Sequence, residues 1–236
     1  MEGVVVASGA MAIACFKDLC IDAADVALVA GYWGELLGLE AEVRADGVGS
    51  LARAGQVVLW VNPVPEPKVV KNRVHLDLWV APDTDLVGRG ARLLDEQDGF
   101  QVFADPEGNE LCAFPPPDDL VLGAPARWQA LCTDSARPVE DAAWWAGVVG
   151  GELAPGPDGT LRYLHGADGL GDRTWKFVPV DDARVVKNRW HWDVVGRVAD
   201  LLTAGATVVR PQDEGIRWTV LADPSGNPFC AFEPSA

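Results

Sequence analysis

The string Lys71-Asn72-Arg73-Val74-His75-Leu76-Asp77-Leu78 returns 116 residues later (75 to 191) as Lys187-Asn188-Arg189-Trp190-His191-Trp192-Asp193-Val194. In both copies Lys, Arg, His and Asp fall on one parity. Asn and the apolar residues fall on the other. A period of two marks a strand with one face on a core and the other toward something wet. Two such strands, almost half of the 236-residue chain apart, argue for a duplicated domain with two pockets or polar surfaces. Each half, of roughly 115 residues, is long enough to bury its own core without staples.

Composition removes several classes of partner. The 19 Lys and Arg against 35 Asp and Glu leave a formal charge of −16. Such a surface repels nucleic acid and anionic lipid, because phosphate binding depends on cationic neutralisation. It mildly favours cationic ligands, although a net charge says little about one pocket. A hydrophobic fraction of 49% and ten Trp argue against disorder. Cys15, Cys20, Cys112, Cys132 and Cys230 are an odd number in a long chain, which suits reduced thiols in a cytoplasm. The apolar run at 4–16 is too short to span a bilayer, and Glu2 denies it a cationic start. It reads as a flexible leader entering a first strand.

Taken in order, 14–21 is a strand and Asp22 to Asp25 offers N-caps for a helix from Val26 to Leu39, with Gly38 as C-cap. Strands follow at 40–45, 49–54 and 56–62, then a stiff Pro63, Pro65, Pro67 connector and the His75 strand. Residues 83–92 read as a weaker helix, interrupted by Gly88 and Gly90. Strands at 92–96 and 100–104 lead to Asp105-Pro106-Glu107-Gly108, a type I turn, and a closing strand at 109–114. The second half repeats this order: strand 128–133, helix 138–149 with Trp145 at the place of Trp33, and strands at 161–164 and 174–180. The His191 strand, helix 198–204, strands 207–210 and 216–222, the turn Asp223-Pro224-Ser225-Gly226 and strand 227–232 complete it. Each half is therefore a pair of βαβββ modules, a β-rich α+β arrangement.

A strand bearing Lys-Asn-Arg-x-His-x-Asp, a helix with Tyr/Trp-Trp before Gly, and Asp-Pro-x-Gly-Asn before an apolar strand occur in that order twice. This combination resembles the glyoxalase-like branch of the vicinal oxygen chelate superfamily, which includes glyoxalase I, extradiol dioxygenases, fosfomycin-resistance enzymes and bleomycin-binding proteins. The likeness covers 14–114 and 127–232. It implies two tandem glyoxalase-like domains, 12–116 and 127–236 around a linker at 117–126, each a pair of βαβββ modules forming a half-open β-barrel.

The resemblance also supplies a metal test. Metal-binding members use a first-strand His, a His or Glu on a later strand of the first module, the keystone-strand His, and a Glu seven residues after the turn Asp. Those places fall near Asp18 and Ala130, near Trp60 and Lys176, on His75 and His191, and on Cys112 and Cys230. The usual Glu is absent from both halves, and the second offers only His191 and Cys230. Glu110, two residues before Cys112, is a substitute in the first half alone, since its counterpart is Pro228. A divalent ion with an open position needs three or four donors in one cavity, so no metal or other cofactor is expected.

The expectation is then a metal-free protein that binds a small molecule, sequestering a drug or metabolite. The ligand-binding residues are His75, Asp77, Cys112 and Trp60 in one half, and His191, Asp193, Cys230 and Trp175 in the other. No catalytic residue is assigned. The alternative is a metal-dependent lyase, isomerase or dioxygenase of the same superfamily, active in one half. His75 and His191 are equally explained as strand histidines held by Asp77 and Asp193 for the fold. Lys71, Arg73, Lys187 and Arg189 read as solvated or structural, and Asp105 and Asp223 as turn formers. The expected partners are a small molecule and no nucleic acid or membrane. Quaternary expectation is a monomer whose halves pair as an internal pseudo-dimer, or a homodimer.

Overall fold

The computed structural model describes residues 6–7, 11–181 and 184–235; most of the expected leader before residue 11 lies outside them. In the first half the elements are β1 (Val6–Ala7), β2 (Ala14–Ala23), α1 (Val26–Leu37), β3 (Glu40–Val43), β4 (Gly49–Arg53) and β5 (Gln56–Pro63). β6 (Val74–Val80), β7 (Arg92–Gln97), β8 (Phe100–Ala104) and β9 (Glu110–Phe114) follow. The second half gives β10 (Ala126–Ser135), α2 (Pro138–Val149), β11 (Glu152–Pro155), β12 (Leu161–His165) and β13 (Thr174–Pro179). It ends with β14 (Trp190–Gly196), α3 (Val198–Thr203), β15 (Thr207–Arg210), β16 (Thr219–Ala222) and β17 (Pro228–Phe232).

Local chemistry accounts for the helix ends. The Asp25 carboxylate accepts from the Leu28 N–H at 3.0 Å, and Gly38 closes α1 in the left-handed region (φ 61°). Pro138 opens α2, with Glu140 and Asp141 in its first turn. The weaker helix expected over 83–92 is absent. That segment forms turns, closed by Gly90 N–H to the Val87 carbonyl with Gly90 at φ 100°. Two glycines in ten residues cost too much backbone entropy for a helix. The matching stretch of the second half has no glycine before Gly205 and forms α3.

Among the described residues seventeen strands make two open sheets, in the orders β1-β11-β12-β13-β10-β6-β9-β8-β7 and β15-β16-β17-β14-β2-β5-β4-β3. Each sheet is a pair of modules, as the α+β expectation requires, but the partnership crosses the halves. β6 lies antiparallel to β10, with His75 opposite Cys132. β14 lies antiparallel to β2, with His191 opposite Cys20. The expectation that each tandem half closes on itself is corrected in this respect: every half-open sheet takes one module from each half. The Pro63–Pro67 connector explains part of this, since prolines hold the chain extended as it leaves one sheet for the other. Cross-half ion pairs fix the rest: Lys71 reaches Asp134 at 2.5 Å, and Lys187 reaches Asp22 at 2.8 Å.

The core lies between the sheets. Each long helix packs on the strands of its own module and touches the first strand of the opposite sheet. Trp33 meets Trp190 edge-on with ring centroids 5.2 Å apart, and Trp145 meets Trp192 likewise at 5.3 Å. Both indole N–H groups are satisfied in the interior, by Asp105 at 3.0 Å and Asp223 at 3.1 Å. The same carboxylates accept the N–H of Asn109 and of Asn227, so these two Asp residues tie turn to helix. No helix among the described residues is long and apolar enough to cross a membrane.

Candidate functional site

Strand register assembles two related clusters on the sheet faces turned away from the helices. In the first sheet one row runs Tyr163–Lys176–Cys132–His75 across β12, β13, β10 and β6, and Asp77 stands opposite Cys112 of β9. We call this site I. In the second sheet the row is Trp60–Cys20–His191 across β5, β2 and β14, with Asp193 opposite both Asp18 and Cys230. This is site II. Lys71 and Arg73 precede β6 rather than line it, and Asn72 clamps Asn109 of the turn at 3.0 Å, so the Lys-Asn-Arg part of the repeat is structural. Asn188 repeats the clamp on Asn227 at 3.3 Å.

Site I is a chain of charges. Asp77 lies between the His75 ring (Nε2, 3.5 Å) and the Lys176 ammonium (2.7 Å). Burial by itself would raise the Asp77 pKa, but the His75 hydrogen bond and the Lys176 charge hold it down at about 2. Burial likewise opposes a charge on His75, yet the neighbouring Asp77 carboxylate works the other way, and the His75 pKa is raised well above the usual range. Burial pushes the Cys132 thiol up to about 12, so it is neutral near pH 7 and Asp77 is the anion that holds the imidazolium. Partly buried Phe114 and Tyr163 lie beside the Lys176 end of the cluster. Phe100 stacks on Phe114 at 4.7 Å.

Site II has the same motif and the opposite balance. Asp18 and Asp193 share one lysine, Lys17, at 2.5 and 4.0 Å. Burial and the neighbouring Asp18 raise the Asp193 pKa well above its ordinary value. Burial lowers that of His191. Trp60 donates to Asp18 at 3.2 Å, while the other Asp18 oxygen is buried with no hydrogen-bond partner. Cys20 donates to Asp193 at 3.6 Å.

The structure therefore brings together His75, Asp77 and Cys112, and separately His191, Asp193 and Cys230. Trp60 joins the second group. Trp175 does not join either and is corrected to a core residue: it is fully buried against Phe177, Trp145 and Trp192 and donates to Thr133 at 3.0 Å. The register counterpart of Trp60 is Lys176, one residue on, so the two tryptophans face opposite sides of their sheets. Glu110 is engaged elsewhere, by Lys68 at 2.8 Å and the Asn72 N–H at 3.1 Å. A cavity of about 680 Å³ lies between the two Val-Val-Lys-Asn-Arg loops rather than at either cluster. At sites I and II the His75 and His191 side chains remain 12% and 17% exposed.

The count of donors also changes. Cys132 joins His75 and Asp77, and Cys20 joins His191 and Asp193; within each trio the candidate ligand atoms lie within 4.8 Å of one another. Site I does not fit a divalent ion, because the Lys176 ammonium, 2.7 Å away, already neutralises Asp77. Site II fits better: thiol, imidazole and carboxylate suit a borderline ion such as zinc, the unpartnered Asp18 oxygen is a further donor, and Lys17 sits on the other Asp18 oxygen, 4.0 Å from Asp193. The sequence held a signal for the two missed cysteines. Cys20 and Cys132 are separated by 112 residues, as Trp33 and Trp145 are, and each shares the parity of its open face.

Comparison with known proteins agrees with this geometry. A glyoxalase-like domain profile matches residues 18–114 and 130–232. Glyoxalase I from Zea mays is 14% identical over 93% of this chain and 92% of that chain, with a TM-score of 0.59. A putative dioxygenase from Bacillus subtilis is 13% identical over 96% and 87%, with a TM-score of 0.63. The cppA protein from Streptococcus pneumoniae is 14% identical over 93% and 100%, with a TM-score of 0.55. Among curated protein sequences none matches. At these identities the structural likeness shows the fold, and the two profile matches, one per half, place the chain in the glyoxalase-like domain family.

Proposed function

We propose that this protein binds a small organic molecule at site I and does so without a metal, in the manner of a sequestering protein. The observation that carries the reading is Lys176. It sets an ammonium 2.7 Å from Asp77, beside partly buried aromatic rings, where a metal would otherwise be held. His75, Asp77 and Cys112 supply the polar groups of the site, and Phe114 and Tyr163 its aromatic ones. The halves already pair with each other across both sheets, which supports a monomer, and five free cysteines suit a cytoplasm.

A second reading is favoured by the trio at site II. Cys20, His191 and Asp193 would hold a zinc-like ion, which supplies a Lewis acid when bound, and the chain would then be a metal-dependent enzyme active in one half. Elemental analysis of protein purified without chelators separates the readings. The metal-free reading expects no stoichiometric metal. About one equivalent, lost in Cys20→Ser and retained in Cys132→Ser, overturns it in favour of the second.

A further inference from the structure

We infer that the ligand of site I is an organic anion with a planar apolar body, received by the Lys176 ammonium. The inference rests on the reading of site I as a binding site and adds the chemical class of what binds there.

Charge counting at the two sites leads to it. In site II one lysine serves two carboxylates, Asp18 and Asp193. In site I one lysine faces a single carboxylate, Asp77, which His75 also contacts. The position of Asp18 is taken in site I by Ala130, opposite Asp77, so the second acid is missing. Lys176 uses one of its three donors on Asp77 and remains 19% exposed at the side chain. Its Nζ also lies 5.4 Å from the centre of the Phe114 ring and 5.7 Å from that of Tyr163. An oxyanion meeting the ammonium would therefore have its apolar part beside two aromatic rings. The overall charge of −16 works against anions in general. A preference for an anion over its neutral isostere must then come from the site itself.

The test compares 2-naphthoate with 2-naphthamide by calorimetric titration of the full chain, in the wild type, Lys176→Met and Lys176→Arg. The wild type is expected to bind the carboxylate about tenfold or more tighter than the amide, the scale of one charge-assisted hydrogen bond. Lys176→Met is expected to abolish the difference by weakening naphthoate alone, and Lys176→Arg to keep it. Should Lys176→Met fail to fold, the carbon-13 resonance of the Lys176 Cε in the wild type decides, shifting with naphthoate and not with naphthamide. Equal binding of both probes, or a preference that survives in Lys176→Met, overturns the anion inference and leaves the reading of site I as a binding site standing. Binding of neither probe at millimolar concentration overturns both.

Discussion

Replacing Asp77 by Asn keeps the shape of the side chain and removes the charge that Lys176 and His75 share. A carboxyl held at about 2 against its ordinary 3.8 contributes about 2 kcal/mol to stability when ionised, at about 1.4 kcal/mol per pH unit of difference. The side chain is only 5% exposed, so little of this is lost to solvent screening. The folded-state pKa is depressed, so the contribution is complete above the unfolded value and disappears as pH falls through about 2. Lys176 is cationic throughout that window, so the gap reads the titration of Asp77 together with the imidazolium it holds. Urea unfolding of wild type and Asp77→Asn at matched pH values from 6 to 2 measures it. The stability gap is expected to be constant above about pH 5 and to shrink by about 2 kcal/mol by pH 2. A gap that does not change over this range would show that Asp77 is not an ionised partner of Lys176, and the charge chain of site I would be wrong.

Two further outcomes follow from the fold. A protease site inserted in the exposed linker after Asp119 should yield halves that stay associated on native size exclusion and separate only in denaturant, because β6–β10 and β14–β2 both join the two halves; halves that part under native conditions refute the crossed sheets. Trp175→Ala should cost about 3–5 kcal/mol as a core truncation, whereas Trp60→Ala should cost about 1–2 kcal/mol, the loss of its bond to Asp18; equal thermal shifts would contradict the opposite facing of the two residues.

Much of the fold was legible because its signals are local. The caps of α1 at Asp25 and Gly38 and the limits of α2 at Pro138 and Val149 follow from side-chain and backbone chemistry within a few residues. The turns at Asp105 and Asp223 are of the same kind, each closed by a glycine N–H on the Asp carbonyl. Failures came where counting had to be aligned between the halves. Trp60 and Trp175 looked equivalent by residue type, but an offset of one residue turns a strand position to the other face. Cys20 and Cys132 are not legible as donors from sequence, because their thiols matter only once β2 and β10 lie beside the opposite keystone strands.

By itself the sequence determined that the chain is built of four similar modules and that each keystone strand turns His and Asp to its open face, because alternation and turn chemistry act within a strand and its neighbouring residues. It did not determine which strand lies next to which. β2 and β10 present similar edges to either keystone strand, and pairing is settled by contacts more than 60 residues apart in sequence, such as Lys71 with Asp134. Only that tertiary choice placed Lys176 beside Asp77 and Asp18 beside Asp193, and so gave two copies of one motif opposite local charge.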